Sequence, residues 1–464
     1  MDYFKRTRIA KILVEDSIPT GRELIILGWV RTIRVSSNVA FIEINDGSCM
    51  NNLQAVVNNP SDFPILKDIL TGAAIRAVGK LAESPAKGQK YDFVVDVLEL
   101  VGPADQTYPL QKKRHTFEYL REIAHLRPRT NTLGAVNRVR SSIAYAVHKY
   151  YQERGFYYIH TPIITASDTE GAGELFRVTT FEPNKAPVKD GAIDFNEDFF
   201  AEETYLTVSG QLEAEIAAQA LGDVYTFGPT FRAENSNTAR HASEFWMIEP
   251  EMAFCDLHET MEIAVDFLKY LFSYALEKCA SDMEFFNKWV DKGVIARLEH
   301  VVSSEFEKLP YTEAISILEK SGQDFEYPVS WGIDMQSEHE RYLTEQVLKK
   351  PVIVFDYPKK IKPFYMRIND DGKTVGAMDV LVPKIGEIIG GSQREERYDV
   401  LLAHMKEKGM NTDLYGWYLD LRKYGTSPHS GFGLGFERTL MYITGMANIR
   451  DVLPFPRVPR WAKF

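Results

Sequence analysis

A chain of 464 residues, 45% of them hydrophobic and with a formal net charge of -11, exceeds one ordinary core and has the composition of a globular protein of two or three domains. No run of about 18 apolar residues occurs, and MDYFKRTRIAKILVEDS lacks the apolar core of a secretory leader, so no membrane partner and a cytoplasmic location are expected. Cys49, Cys255 and Cys279 lie far apart without a CxxC pair, which speaks against a disulfide framework or a cysteine zinc site, and the acidic balance argues against indiscriminate nucleic-acid binding while leaving room for a local basic face.

Residues 22–57 alternate β-rich runs around a turn at Asp46-Gly47, and IRAVGKL (75–81) and YDFVVDVLEL (91–100) follow as strands, the spacing of a small barrel. In AFIEIND the period of two sets Ala40, Ile42 and Ile44 on one face and Phe41 with Glu43 on the other. Phe41 either packs under a neighbouring loop or stacks single-stranded bases, worth about 1–3 kcal/mol per base. Arg31 and Arg34 on the preceding strand are candidates for phosphate contacts.

From Gly102 to Gly134 the chain is polar and punctuated by proline, a linker with some helix whose basic run Lys112, Lys113 and Arg114 reads as a solvated face. A helix is expected from about Ala135, with Val136, Val139, Ile143, Val147 and Tyr150 on one stripe, ending at Gly155. FYYIHTPIIT (156–165) reads as a strand that Pro162 confines to an edge or interface, and the helix and strand together suit a homodimer contact. A long helix follows Asp256, residues 282–350 read as a charged, mostly helical insertion without chemistry, PVIVFDYP (351–358) returns to strand, and a last helix starts near Gly435.

Two stretches carry chemistry. FGPTFRAENSNTARHASEF has the layout of an antiparallel hairpin with arginines at its loop, and the chain has neither a P-loop nor a dinucleotide glycine motif, so a nucleotide here is held by side chains. Arginine suits this, because its planar fork pairs with phosphate oxygens and stacks on ring faces. The second stretch, GFGLGFER (431–438), spaces glycines before a helix opened by Arg438.

FRAE with the downstream EF, GFGLGFER with its helix, and the helix-strand-Pro162 segment together resemble the three signature motifs of the class II aminoacyl-tRNA synthetases. The barrel points to the subgroup of asparaginyl, aspartyl and lysyl enzymes, and TVSGQLEAE, FRAENSNTARH and GEIIGGSQREERYDVL are most similar to the asparaginyl members. The resemblance implies an α+β chain. An OB-fold anticodon-binding barrel would cover 1–101, a linker 102–134, and an antiparallel-sheet catalytic domain flanked by helices 135–464.

It also implies roles. Arg232 would grip the ATP α-phosphate, Glu234 the adenine amino group, Arg240 and His241 the β- and γ-phosphates, and Phe245 and Arg438 would sandwich the adenine. Asp379 and Glu387 would be magnesium carboxylates, since hard Mg²⁺ prefers carboxylate and phosphate oxygens. Glu170, Ser209 and Gln211 would meet the substrate α-ammonium, Phe41 would stack an anticodon base, and Arg31 and Gln54 would contact the anticodon of tRNA(Asn).

Aspartyl relatives carry a lysine three residues after the glutamine of SGQ, where this chain has Ala214. Without that cation, Glu249 is expected to accept from the amide NH₂ of L-asparagine while Arg394 donates to the amide oxygen. A purely scaffolding Glu249, paired to Arg232 or another strand charge, is the alternative. An aspartyl enzyme and an asparagine-synthesising paralogue are the competing functions, the first opposed by Ala214 and Glu249, the second by the intact barrel.

Overall fold

In the computed structural model, which describes residues 3–167 and 175–464, the N-terminal strands close into a barrel. β1 (Glu23–Val35), β2 (Val39–Asn45), β3 (Leu53–Asn58), β4 (Ala74–Glu83) and β5 (Tyr91–Gly102) pair in the order β1-β2-β3-β5-β4. Ala40, Ile42 and Ile44 are fully buried, while Phe41 is 38% exposed, so the period-two expectation for β2 holds. Gly47 turns the chain at φ +80°, and the side chains of Asn45 and Asp46 accept the N–H groups of Gly47 and Ser48. The barrel belongs to a unit of residues 1–139 with Phe464, and residues 140–463 form a second unit.

α1 (Asn131–Glu153) begins at Asn131 rather than at the expected Ala135. The hydroxyl of Thr130 accepts the Leu133 N–H at 3.3 Å and so caps the helix earlier than the apolar stripe announces it. Val136, Val139, Ile143, Val147 and Tyr150 are all buried, and Gly155 ends the run in a left-handed conformation.

The second unit is built on one eight-stranded sheet. β6 (Tyr157–Tyr158), β7 (Asp223–Phe231), β8 (Glu244–Ala253), β9 (Glu307–Pro310), β10 (Val352–Pro358), β11 (Thr374–Val382), β12 (Gly386–Gln393) and β13 (His429–Gly435) lie in the order β9-β10-β11-β12-β13-β8-β7-β6. All neighbours are antiparallel except β9 with β10 and β6 with β7. α2 (Gln211–Leu221) packs on β7 and β8, α3 (Leu257–Lys278) on β11, β12 and β13, and α4 (Phe436–Thr444) follows β13 directly. Asp256 and Glu259 form a capping box at the start of α3, and Met261, Ala264, Leu268, Leu271 and Ala275 bury its inner stripe.

FYYIHTPIIT is not one strand. Tyr157–Tyr158 pairs with β7, whereas Ile164–Thr165 pairs with residues 205–206 in a separate small sheet. Pro162 has no N–H to continue a ladder, and the chain changes sheets across it. The segment 282–350 is helical over much of its length, yet it also supplies β9. Its Leu309, Tyr311, Ala314 and Ile315 enter the same core as Val352 and Val354.

Candidate nucleotide and amino-acid site

The β7–β8 hairpin pairs in strict register, with Thr230 opposite Phe245 and Phe231 opposite Glu244. That register sets Arg232, the first residue beyond β7, beside Phe245, and its guanidinium stands over the Phe245 ring at 5.6 Å. A cleft open to solvent is lined by Arg232, Glu234, Arg240, His241, Phe245, Glu387 and Arg438, with Met247, Gly433 and Ile449. The fold thus gathers from three separate stretches every side chain nominated for the nucleotide.

Within the cleft the arginines have distinct settings. Glu234 lies 3.9 Å from Arg232. Arg438 opens α4 and donates through Nη1 to the Glu387 carbonyl at 3.0 Å. Arg240 donates to the Ser337 hydroxyl at 3.1 Å and to the Ile385 carbonyl at 3.0 Å. Burial, with Arg438, Arg232 and Arg240 nearby, pulls His241 below the usual histidine range despite Glu234. A cationic cleft with a neutral imidazole is built to receive a polyanion.

Asp379 on β11 and Glu387 on β12 converge over Gly390. A Cβ at that glycine would lie 3.4 Å from Asp379 Oδ1 and 3.0 Å from Glu387 Oε1. Asp379 is also engaged by Lys362 at 2.9 Å. Burial and the neighbouring Asp379 raise Glu387 above the usual carboxylate range. A third acid, Glu340, accepts the Glu387 N–H at 3.0 Å, and burial beside Glu387 and Asp379 pushes it up to about 8. Among the described residues no group of three His, Cys, Asp or Glu forms a metal cage.

Further along the sheet lies the expected amino-acid pocket. Glu249 is buried, and its carboxylate accepts from the Ser209 hydroxyl, the Gly210 N–H at 3.1 Å and the Thr226 hydroxyl at 3.0 Å. Thr226 is its cross-strand partner in the hairpin register. Glu249 therefore pairs with neither Arg232 nor another strand charge, and the scaffolding alternative in that form does not describe it. Gln211 donates through Nε2 to Glu215 at 3.1 Å, and among the described residues its amide oxygen accepts from no donor. Glu170 lies outside the described residues.

Arg394 lies in a buried ion pair. Its Nε and Nη2 close a two-point pair on Glu251, and its Nη1 donates to Ser392 at 2.6 Å, so its fork is held by the protein. Glu251, which the sequence left without a role, is fully buried, as is Glu215. Glu215 gathers Tyr418, Arg422 at 2.7 Å and His429 at 2.9 Å. Burial opposes the charge of Glu215, yet Arg422, His429 and Arg394 hold its carboxyl well below the usual range. Glu215, Tyr418, Arg422 and His429 escaped the sequence reading. The only local signal was the i, i+4 spacing of Gln211 and Glu215 on a helix.

Gly431 makes room for a buried acid. A Cβ there would collide with Glu251 Oε1 and the Pro250 carbonyl. Gly433 does line the cleft.

On the barrel, Phe41 stands half-exposed opposite Arg34 and Val56 in the strand register. Arg31 sits at a bulge in β1 and donates to the Arg129 carbonyl and the Asn131 side chain, so its fork is engaged within its own unit rather than open. Gln54 donates to Asp92 at 3.1 Å. Trp29, which the sequence reading did not single out, is 44% exposed.

Residues 116–459 match the family described as tRNA synthetases class II (D, K and N), and residues 24–101 match the OB-fold nucleic acid binding domain. The chain is similar to an asparagine–tRNA ligase of Geotalea uraniireducens, 61% identical over 99% of this chain and 100% of that protein. It is 60% identical, over the same shares, to one of Geobacter sulfurreducens. Among solved structures, the asparaginyl-tRNA synthetase of Pyrococcus horikoshii complexed with asparaginyl-adenylate superposes with a TM-score of 0.84 at 32% identity, covering 98% of each chain. An aspartyl tRNA synthetase of Entamoeba histolytica, 22% identical with a TM-score of 0.78 over 99% of this chain and 92% of that one, shares the fold.

Proposed function

The chain belongs to the class II tRNA synthetases of the D, K and N group and, within it, to the asparagine–tRNA ligases, and from that premise we propose how its residues perform the reaction. ATP and L-asparagine combine to asparaginyl-adenylate and pyrophosphate, and the asparaginyl group then passes to the 3'-terminal ribose of tRNA(Asn). One observation carries the reading. Phe245, Met247, Glu249 and Glu251 alternate along one face of β8, so the ring that meets adenine and the acid that meets the amide stand in one row, roughly 13 Å apart at about 3.3 Å per residue.

The attacking carboxylate of asparagine is already ionised, so the step needs no side-chain base. It needs positioning and charge neutralisation at the α-phosphate. Arg232 supplies the charge there, held over Phe245. Arg438 and Phe245 enclose the adenine, Glu234 meets its amino edge, and Arg240 with neutral His241 face the outer phosphates. The convergent Asp379 and Glu387 fit Mg²⁺, which takes one or two carboxylates and completes its shell with phosphate oxygens and water. When bound, the ion supplies charge neutralisation at the phosphates. Lys362 holds Asp379 through Oδ2, and Oδ1, the oxygen that converges with Glu387 over Gly390, would serve the ion.

For the amino acid, Ser209 and the amide oxygen of Gln211 face the α-ammonium, with Glu170 completing that contact. Glu249 accepts from the side-chain NH₂, and Arg394, set by Glu251, donates to the amide oxygen through the N–H of Nη1 that Ser392 does not take. A carboxylate in place of the amide would bring a charge beside Glu249 and meet in Arg394 a cation already paired with Glu251, and a buried site so arranged discriminates by about 10⁴. Phe41 stacks an anticodon base on the barrel, with Arg31 and Gln54 beside it once they leave their present partners. A homodimer, supported by the exposed Tyr145, Tyr157 and Ile163 on and after α1, and a cytoplasmic location complete the proposal.

The test is amino-acid-dependent exchange of pyrophosphate into ATP, with asparagine and aspartate measured side by side. Exchange with asparagine alone is expected. Equal exchange with aspartate would defeat the amide pocket, and none with either would defeat the roles assigned to the cleft.

A further inference from the structure

The turn between β11 and β12 is held from outside by side chains. Lys384 N–H donates to Glu345 at 2.7 Å, and Glu387 N–H donates to Glu340 at 3.0 Å. The carbonyls of Lys384 and Ile385 accept from Arg240 at 3.4 and 3.0 Å, and that of Glu387 accepts from Arg438 at 3.0 Å. Two of these holders are cleft arginines. The other two, Glu340 and Glu345, come from the 282–350 segment in which the sequence showed no chemistry.

Glu340 sits at the end of a short helix, Ser337–Arg341, that runs into a wide π-helical turn, Tyr342–Val347. Such turns recur at functional sites because they re-aim side chains. Arg341 grips Glu345 through Nε at 2.9 Å and Nη2 at 3.2 Å, and Ser337 accepts from Arg240 at 3.1 Å. Glu340 is itself buried. Gly386 approaches it so closely, at φ +80°, that a Cβ there would collide with Glu340 Oε2. Among the described residues, the Glu387 N–H is the only donor to this carboxylate. A buried N–H must have an acceptor, and the Glu340 carboxyl oxygen supplies it.

The structure assigns Glu340 as a positioning residue for ATP: its carboxylate fixes the backbone N–H of Glu387, and with it the direction in which Glu387 enters the phosphate end of the cleft. The assignment rests on the reading that this cleft holds ATP. Glu340 touches no reacting atom. Its effect passes through Glu387 and, through the shared turn, Arg240, and a displacement of about 1 Å at such a group suffices for a 100-fold loss.

The full chain carrying Glu340→Ala or Glu340→Gln tests this, with ATP binding by calorimetry in Mg²⁺ without amino acid, KM for ATP and for asparagine in the exchange reaction, and thermal unfolding. Glu340→Ala is expected to weaken ATP binding and raise its KM by about 10- to 100-fold, the cost of leaving a buried N–H without its acceptor, with the asparagine KM unchanged. Glu340→Gln keeps an oxygen to accept the N–H and should recover most of the loss. Gln as damaging as Ala would overturn the assignment. So would a parallel rise in both KM values with a lowered Tm, or an Ala variant that binds ATP normally. A wild-type chain that binds no ATP would instead sink the reading of the cleft and this assignment with it.

Discussion

Glu251 holds Arg394 through both of its carboxylate oxygens, in a pair that is fully enclosed and sits two residues along β8 from Glu249. In the pocket proposed above, the pair lets a buried guanidinium face an uncharged amide. Its charge is already answered from behind, so the pocket does not require a second anion. Arg394→Met leaves Glu251 without its partner and should cost about 3–5 kcal/mol of stability, whereas Glu251→Met with Arg394→Met should recover much of that while leaving asparagine activation abolished. Denaturant unfolding and pyrophosphate exchange on the single and double variants check both halves.

Ser209 donates to Glu249 from the residue just before the α2 cap. Ser209→Ala leaves Glu249 one donor short, a loss of about 1–3 kcal/mol for a buried carboxylate. The expected signature is a raised KM for asparagine with the KM for ATP unchanged. Equal movement of the two would show that Ser209 serves the sheet rather than the pocket.

The glycines of GFGLGFER should not be equivalent. Gly431→Ala pushes a methyl into Glu251 and the Pro250 carbonyl, neither of which can retreat, while at Gly435 the nearest atom is Arg438 Cβ at 3.8 Å. Gly431→Ala is therefore expected to lose about 1–3 kcal/mol or more and to disturb asparagine binding. Gly435→Ala should be nearly neutral in stability. Thermal unfolding of both variants separates the cases.

Phe41→Ala should weaken tRNA binding by about 1–3 kcal/mol, the worth of one stacked base. Its half-exposed position means little core is lost, so the Tm of the variant and its tRNA-independent pyrophosphate exchange should match the parent. Filter binding against exchange on the same preparation is the check.

His404 offers a pH handle away from the site. It is buried, its Nδ1 lies 3.0 Å from the Phe364 carbonyl, and burial, with Lys408 and Lys359 nearby, lowers it from 6.5. Below 6.5 the unfolded chain binds a proton that the folded chain refuses, so this contribution is present above 6.5 and is lost as the pH falls toward the folded value. Unfolding measured between pH 7.5 and about 5 should show a shallower decline in His404→Asn, whose amide can still donate to Phe364.

The barrel strands, the hairpin and the long helices were legible because period two, the apolar stripe, the Asp256 cap and the turn at Asp46-Gly47 are all local properties. The nucleotide cleft was legible for a related reason. Its arginines, Phe245 and Glu387 lie in short stretches whose spacing carries the resemblance, and the sheet brings those stretches to one place. What the chain alone could not say is which acid meets which base. Glu249 and Glu251 share a face of one strand, and nothing local distinguishes them. Gly431 on β13 leaves room for Glu251, Arg394 arrives just past the end of β12, and the Ser209–Gly210 corner meets Glu249. The same holds for Glu340, some 47 residues before the N–H it accepts. Sequence by itself determined the elements and the family of chemistry. Tertiary structure decided the pairing of buried charges, because such pairs are set by long-range register and by the space left between strands.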